Sequence, residues 1–158
     1  VKIPIQEFIE NDAEALEELF RKVWSVSYEY PAEWRKRRQL TKKEIKEEMR
    51  SGYHFFGKKT EDGRIIGVYK LIITEEGCFG EHQSILPEYA GKGIASDMYE
   101  QFITYAKTHG CEKNYVIILE SHEACRHLVE KYGFCKTGDL FEQAEGMKVF
   151  RYERWHNE

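Results

Sequence analysis

The segment Tyr89-Ala90-Gly91-Lys92-Gly93-Ile94-Ala95 follows a strand candidate that ends Ile85-Leu86-Pro87 and opens a helical pattern, so a two-glycine turn joins a strand to a helix. At such a join several backbone N–H groups have no intrahelical acceptor and point outward. With the positive end of the helix dipole, those amides form an anion site suited to phosphate. Gly91 and Gly93 lack Cβ atoms and would admit a phosphate close to the chain, while Lys92 adds positive charge at the rim. The plainer reading is a tight turn, and the spacing alone leaves both open. Two better-defined phosphate motifs do not fit. There is no Gly-x-x-x-x-Gly-Lys-Ser/Thr, and the loop neither follows the first strand nor completes Gly-x-Gly-x-x-Gly.

Other chemistry is thinly represented. Cys78, Cys111, Cys125 and Cys135 stand far apart with no Cys-x-x-Cys, which suggests neither a zinc site nor a disulfide framework. They are expected to act as small buried hydrophobes. His122, Cys125 and His127 share a helix, but no further ligands stand at usable spacing to complete a site, so no metal is expected. The formal net charge of -4 argues against nucleic acid as a partner. The run Arg35, Lys36, Arg37, Arg38 is the exception, readable as a solvated face or as a docking strip for an anionic substrate or a cofactor phosphate.

The elements that must position these residues read as one domain over 1–158, with 41% hydrophobic residues and no repeat or linker. No run approaches the roughly 18 apolar residues of a membrane span, and the first residues do not resemble a signal peptide. No membrane partner and a cytoplasmic location are therefore expected. A first strand is expected over 1–8, and Asn11-Asp12 caps a helix with the stripe Ala13, Leu16, Leu19, Phe20, Val23, Trp24. Residues 28–39 break that pattern at Pro31. Thr41 and Glu44 form a capping box for a helix over 42–50. Strands follow over 53–59, 64–74 and 78–86, separated by turns at Gly63 and Gly77. The glycine-rich loop opens a helix closed by Gly110, residues 115–119 form a strand covered on both faces, and Ser121 starts a helix that ends at Gly133. Two strands around Gly146 complete a mixed α/β order.

Ile85, Pro87 and the loop 89–95 resemble the acetyl-CoA signature of the GCN5-related N-acetyltransferase (GNAT) superfamily, Gln/Arg-x-x-Gly-x-Gly/Ala. Residues 123–134, which end Leu128-Val129-Glu130-Lys131-Tyr132-Gly133-Phe134, are similar to its second half-motif, Leu-Tyr-x-Lys-x-Gly-Phe. The order of elements also matches, which implies a central, mostly antiparallel sheet with splayed fourth and fifth strands and flanking helices. The resemblance further implies that backbone groups of Gln83, Ser84 and Ile85 pair with the pantetheine arm of coenzyme A. Amides of Ala90, Gly91, Lys92, Gly93, Ile94, Ala95 and Ser96 would hold its pyrophosphate. Thioester and amine would meet in the slot between 79–85 and 115–120. Three positions depart from the pattern: Ala90 replaces Gln or Arg, Val129 replaces the tyrosine that protonates the departing thiolate, and His122 replaces an asparagine.

Acyl transfer from acetyl-CoA requires a neutral amine, and a Lys-like amine titrating near 10.4 is mostly protonated at pH 7. Glu81 is the candidate base, since strand alternation places Phe79, Glu81, Gln83 and Ile85 on one face. His82 then faces the other way, in a structural role. A strand amide near Ile85 would stabilise the oxyanion. A thiolate with a pKa near 8.5 needs little help in leaving, and Tyr132 is the candidate acid one turn from Val129. Tyr28, Tyr30, Trp34 and the basic run would line the acceptor side, for a small-molecule amine, amino acid or peptide.

The expected function is an N-acetyltransferase. The alternative is a non-catalytic acyl-CoA-binding sensor or interaction module, motivated by Ala90 and Val129. A homodimer is compatible with either.

Overall fold

A computed structural model describes residues 3–144 and 146–156. The expected start of the first strand, Val1 and Lys2, and the end of the expected domain, Asn157 and Glu158, lie outside the described residues. The chain forms two compact units, one from residues up to Ile72 with His82–Met98, the other from Ile73–Glu81 with the chain from Tyr99 onward.

The first unit carries β1 (Gln6–Phe8), α1 (Ala13–Trp24), α2 (Ala32–Arg38), α3 (Lys42–Arg50), β2 (His54–Lys59) and most of β3 (Ile65–Thr74). It also holds the end of β4 (Gly77–Ile85) and the start of α4 (Ile94–Thr108). β1 pairs antiparallel with β2, and β2 with β3. α1 buries the expected stripe of Ala13, Leu16, Leu19, Phe20, Val23 and Trp24. At α3 the amide of Glu44 donates to Thr41 Oγ1 at 3.2 Å, and the Thr41 amide donates to the Glu44 carboxylate at 2.9 Å. The expected box is therefore present.

α2 is a correction. Residues 28–39 read as a break at Pro31, yet Pro31 is the N-cap of a helix. A proline ends a helix when it falls inside one, but at the entrance its missing N–H would have lacked a partner anyway.

The second unit carries the beginning of β4, the rest of α4, β5 (Lys113–Leu119), α5 (Glu123–Lys131), β6 (Cys135–Ala144) and β7 (Met147–Trp155). β4 pairs in parallel with β5 at Cys78↔Asn114 and Phe79↔Tyr115, whereas β5 pairs antiparallel with β7 from Lys113↔Trp155 to Leu119↔Val149. A parallel pair requires a crossover, and α4 supplies it. Strand order is β1-β2-β3-β4-β5-β7-β6 in one mixed, seven-stranded sheet.

The cysteine expectation holds only for Cys78, which is buried; Cys111 and Cys125 are half-buried and Cys135 is exposed. Cys135 begins the edge strand β6, where the neighbouring Phe134 takes the core position. Among the described residues no helix is long and apolar enough to cross a membrane.

Candidate functional site

After β4 the Leu86 amide donates to Ile66 O at 3.0 Å, and a single 3-10 turn, Pro87–Tyr89, leads into the loop. The amides of Tyr89 and Ala90 are spent closing that turn onto Leu86 O and Pro87 O, at 2.9 and 3.1 Å. The first helical bond of α4 runs from the Asp97 amide to Gly93 O at 3.0 Å. Between these points, no acceptor among the described residues reaches the amides of Gly91, Lys92, Gly93, Ile94, Ala95 and Ser96. Unpaired donors at a helix start are expected; the run here is longer and has two glycines inside it.

Gly91 and Gly93 have φ of +74° and +84°, a region that disfavours any side chain, and a Cβ at either would meet nothing within 4 Å. The space beside these two glycines is therefore open. Lys92 is exposed, with its ammonium 5.4 Å from the Tyr89 ring centroid, and the neighbouring Glu88 is held by Arg64 at 2.6 Å. Of the predicted pyrophosphate set, Ala90 alone has its amide already committed.

β4 alternates as expected. Phe79, Glu81, Gln83 and Ile85 are half-exposed, while Gly80, His82 and Ser84 are buried. Ser84 has its hydroxyl engaged: it accepts from Trp24 Nε1 at 2.7 Å and donates to His82 O at 3.2 Å. A role for Ser84 toward a ligand would thus run through its backbone.

His82 is, among the described residues, the one non-glycine with positive φ, at +66°. Its ring stacks on Phe20 with centroids 4.3 Å apart, and its Nε2–H donates to Arg38 O at 2.7 Å. Desolvation holds its pKa well below the usual value of 6.5, with help from the Arg38 and Lys70 charges and against the hydrogen bond to Arg38. The imidazole is neutral and structural, which fits its expected orientation. Because the unfolded chain takes up a proton below pH 6.5 and the folded one does not, stability is full above that pH and falls as the pH drops. The slope steepens through pH 6.5 towards a one-proton limit of about 1.4 kcal/mol per pH unit. Urea unfolding between pH 7.5 and 5.5 should show it, and His82→Asn, which tolerates this backbone region, should flatten it. His156, also lowered by partial burial, would retain a smaller slope in both proteins.

The segment 28–38 forms an aromatic and cationic cluster. Tyr30 stacks on Trp34 at 6.3 Å, and the Arg38 guanidinium lies 3.8 Å over Trp34 and 5.6 Å from the Trp24 ring centroid. Arg35 lies 5.0 Å from the Tyr28 ring centroid and donates to Tyr30 O at 3.3 Å, and Arg37 pairs with Glu33. Three of the four basic residues thus have contacts in their own segment.

In the second unit Glu81 is half-exposed on β4. Tyr132, the C-cap of α5, is half-exposed and stacks on Tyr99 with centroids 6.1 Å apart, whereas Val129 is fully buried. Burial pushes the Cys125 thiol up to about 11, offset in part by a Tyr99 hydrogen bond, and the Cys78 thiol up to about 12. Neither is a thiolate nucleophile at neutral pH. Among the described residues no three His, Cys, Asp or Glu side chains group as metal ligands.

The sequence matches the family model described as "Acetyltransferase (GNAT) family" over residues 13–134. No curated protein matches the chain. The fold is similar to that of PaiA N-acetyltransferase from Thermoplasma acidophilum in complex with coenzyme A, at TM-score 0.79 and 22% identity, covering 99% of this chain and 100% of that one. It is also similar to the ribosomal-protein-S18-alanine N-acetyltransferase from Escherichia coli, at TM-score 0.76 and 14% identity over 98% and 94% of the two chains. A spermidine N-acetyltransferase SpeG mutant from Vibrio cholerae gives 0.72 and 22% over 97% and 95%.

Proposed function

The chain belongs to the acetyltransferase (GNAT) family, and from that premise we propose that it is an N-acetyltransferase moving an acetyl group from acetyl-CoA to a primary amine of a small molecule, amino acid or peptide. The observation that carries this reading is the row of unengaged amides at Gly91, Lys92, Gly93, Ile94, Ala95 and Ser96, with open space beside Gly91 and Gly93. A diphosphate needs several donors on one concave surface, and a helix start lined by glycines offers them. The family match runs through both compact units, which supports reading 1–158 as one functional domain.

Bound acetyl-CoA would supply the activated acyl thioester. The chain's own residues do the rest. The six amides hold the diphosphate, and backbone groups of Gln83, Ser84 and Ile85 border the pantetheine arm. Glu81 receives the proton that the acceptor ammonium must lose, directly or through water. Tyr132 is the donor assigned to the departing thiolate, whose pKa near 8.5 makes that help small. Amine acceptors are consistent with the spermidine and protein-alanine activities named for structural relatives.

A thermal-shift titration with acetyl-CoA, longer acyl-CoAs and free ATP tests the reading. At about 100 times its dissociation constant acetyl-CoA should stabilise the protein by about 2.7 kcal/mol, and ATP much less. Gly93→Val should abolish that shift, because a β-branched residue is strained at φ +84° and its side chain would occupy the open space. No shift with any CoA ester sinks the proposal. The burial of Val129 in place of the family tyrosine favours a second reading, a sensor that binds acyl-CoA without turnover. Release of CoA thiol with a panel of amines decides between them.

A further inference from the structure

The first turn of α4 contains an acidic residue, Asp97, whose amide makes the first bond of the helix. A carboxylate there suits the helix dipole but opposes a diphosphate bound one turn away. Lys58 of β2 answers it. Its ammonium lies 2.5 Å from Asp97 Oδ2, and the two side chains are only 6% and 16% exposed. Lys58 and Gly67 are directly opposed on β2 and β3, so their side-chain directions share one face of the sheet. On that face a Cβ at Gly67 would come within 2.9 Å of Ile94 Cγ2, so Ile94, the first residue of α4, occupies the space that glycine leaves. The helix start is thus seated on β2 and β3 at two adjacent points, Ile94 over Gly67 and Asp97 on Lys58. The next residue, Lys59, pairs with Asp12 instead.

We infer that Lys58 is a positioning residue for the anion site: it anchors the first turn of α4 through Asp97 and cancels the carboxylate charge that would otherwise repel the ligand's diphosphate. The inference rests on the reading of residues 91–96 as the diphosphate site. It assigns to the two partners effects of opposite kind. Losing Lys58 removes the ammonium that faces Asp97 and leaves the carboxylate's negative charge beside the site. Changing Asp97 to asparagine removes the negative charge, keeps an oxygen that can accept from Lys58, and leaves a positive charge that favours an anion.

The test is calorimetric titration of coenzyme A into the full chain as wild type, Lys58→Met, Asp97→Asn and the double variant, with steady-state acetyl-CoA kinetics alongside. Lys58→Met should bind at least about tenfold more weakly and raise the KM for acetyl-CoA with little change in kcat. Asp97→Asn should bind as tightly as wild type or more so, and the double variant should recover to within about threefold. Equal losses in both single variants would mark the pair as mere scaffolding and overturn the inference. So would an unchanged affinity in Lys58→Met. Should Lys58→Met fail to fold, Asp97→Asn decides alone, a loss beyond about threefold counting against the inference. Wild-type protein that does not bind coenzyme A removes the underlying reading; wild type that binds without this asymmetry removes only the role of Lys58.

Discussion

Replacing Glu81 by glutamine should lower kcat by about a hundredfold at pH 7 while leaving the KM for acetyl-CoA nearly unchanged, as expected for loss of a general base that does not hold the cofactor. The side chain is half-exposed on β4, beside the one non-glycine residue with positive φ among those described. Glutamine keeps the shape and loses the basicity. The deficit should narrow as pH rises toward about 10, where an alkylamine sheds its proton unaided. A pH–rate profile of both proteins reads this directly. A deficit constant from pH 6.5 to 9.5 would point to lost binding or folding instead, and no deficit would remove Glu81 from the mechanism.

The largest stability effect should come from Gly57→Ala. A Cβ at residue 57 would lie 1.9 Å from Gly67 O, 2.8 Å from Gly67 C and 2.9 Å from Val68 Cα, all backbone atoms of the paired strand β3. A Cβ has no rotamer by which to avoid these backbone atoms, so β2 and β3 must separate locally. The cost is about 3 kcal/mol, a large part of a typical stability of roughly 5–15 kcal/mol, and should lower Tm by about 10 °C. The same strands seat Ile94, so the variant should also bind coenzyme A more weakly. Gly63→Ala is the control: its Cβ meets nothing within 4 Å at φ +84°, leaving only a backbone penalty of about 1 kcal/mol. Calorimetric melting of the two variants separates crowding from backbone strain, and equal shifts would contradict this account.

Much of the fold could be read from the chain because the signals are local. The stripe of α1 recurs at helical spacing, the Thr41 and Glu44 box spans three residues, and β4 alternates with period two. The glycine loop was legible for the same reason, since positive φ is a requirement on single residues that glycine alone meets without cost. α2 was missed because a proline that opens a helix looks like one that breaks it. Cys135 was misread because residue type says nothing about lying on an edge strand.

By itself, then, the sequence determined the order of strands and helices apart from α2, the family motifs and the glycines of the 91–96 loop, all of which depend on spacings within one or two turns of chain. Tertiary structure decided which distant groups meet: Trp24 with Ser84 across 60 residues, His82 with the Arg38 carbonyl across 44, and Lys58 with Asp97 across 39. Spacing cannot encode such pairs, because a buried donor or charge accepts whichever partner the packing brings within about 3 Å.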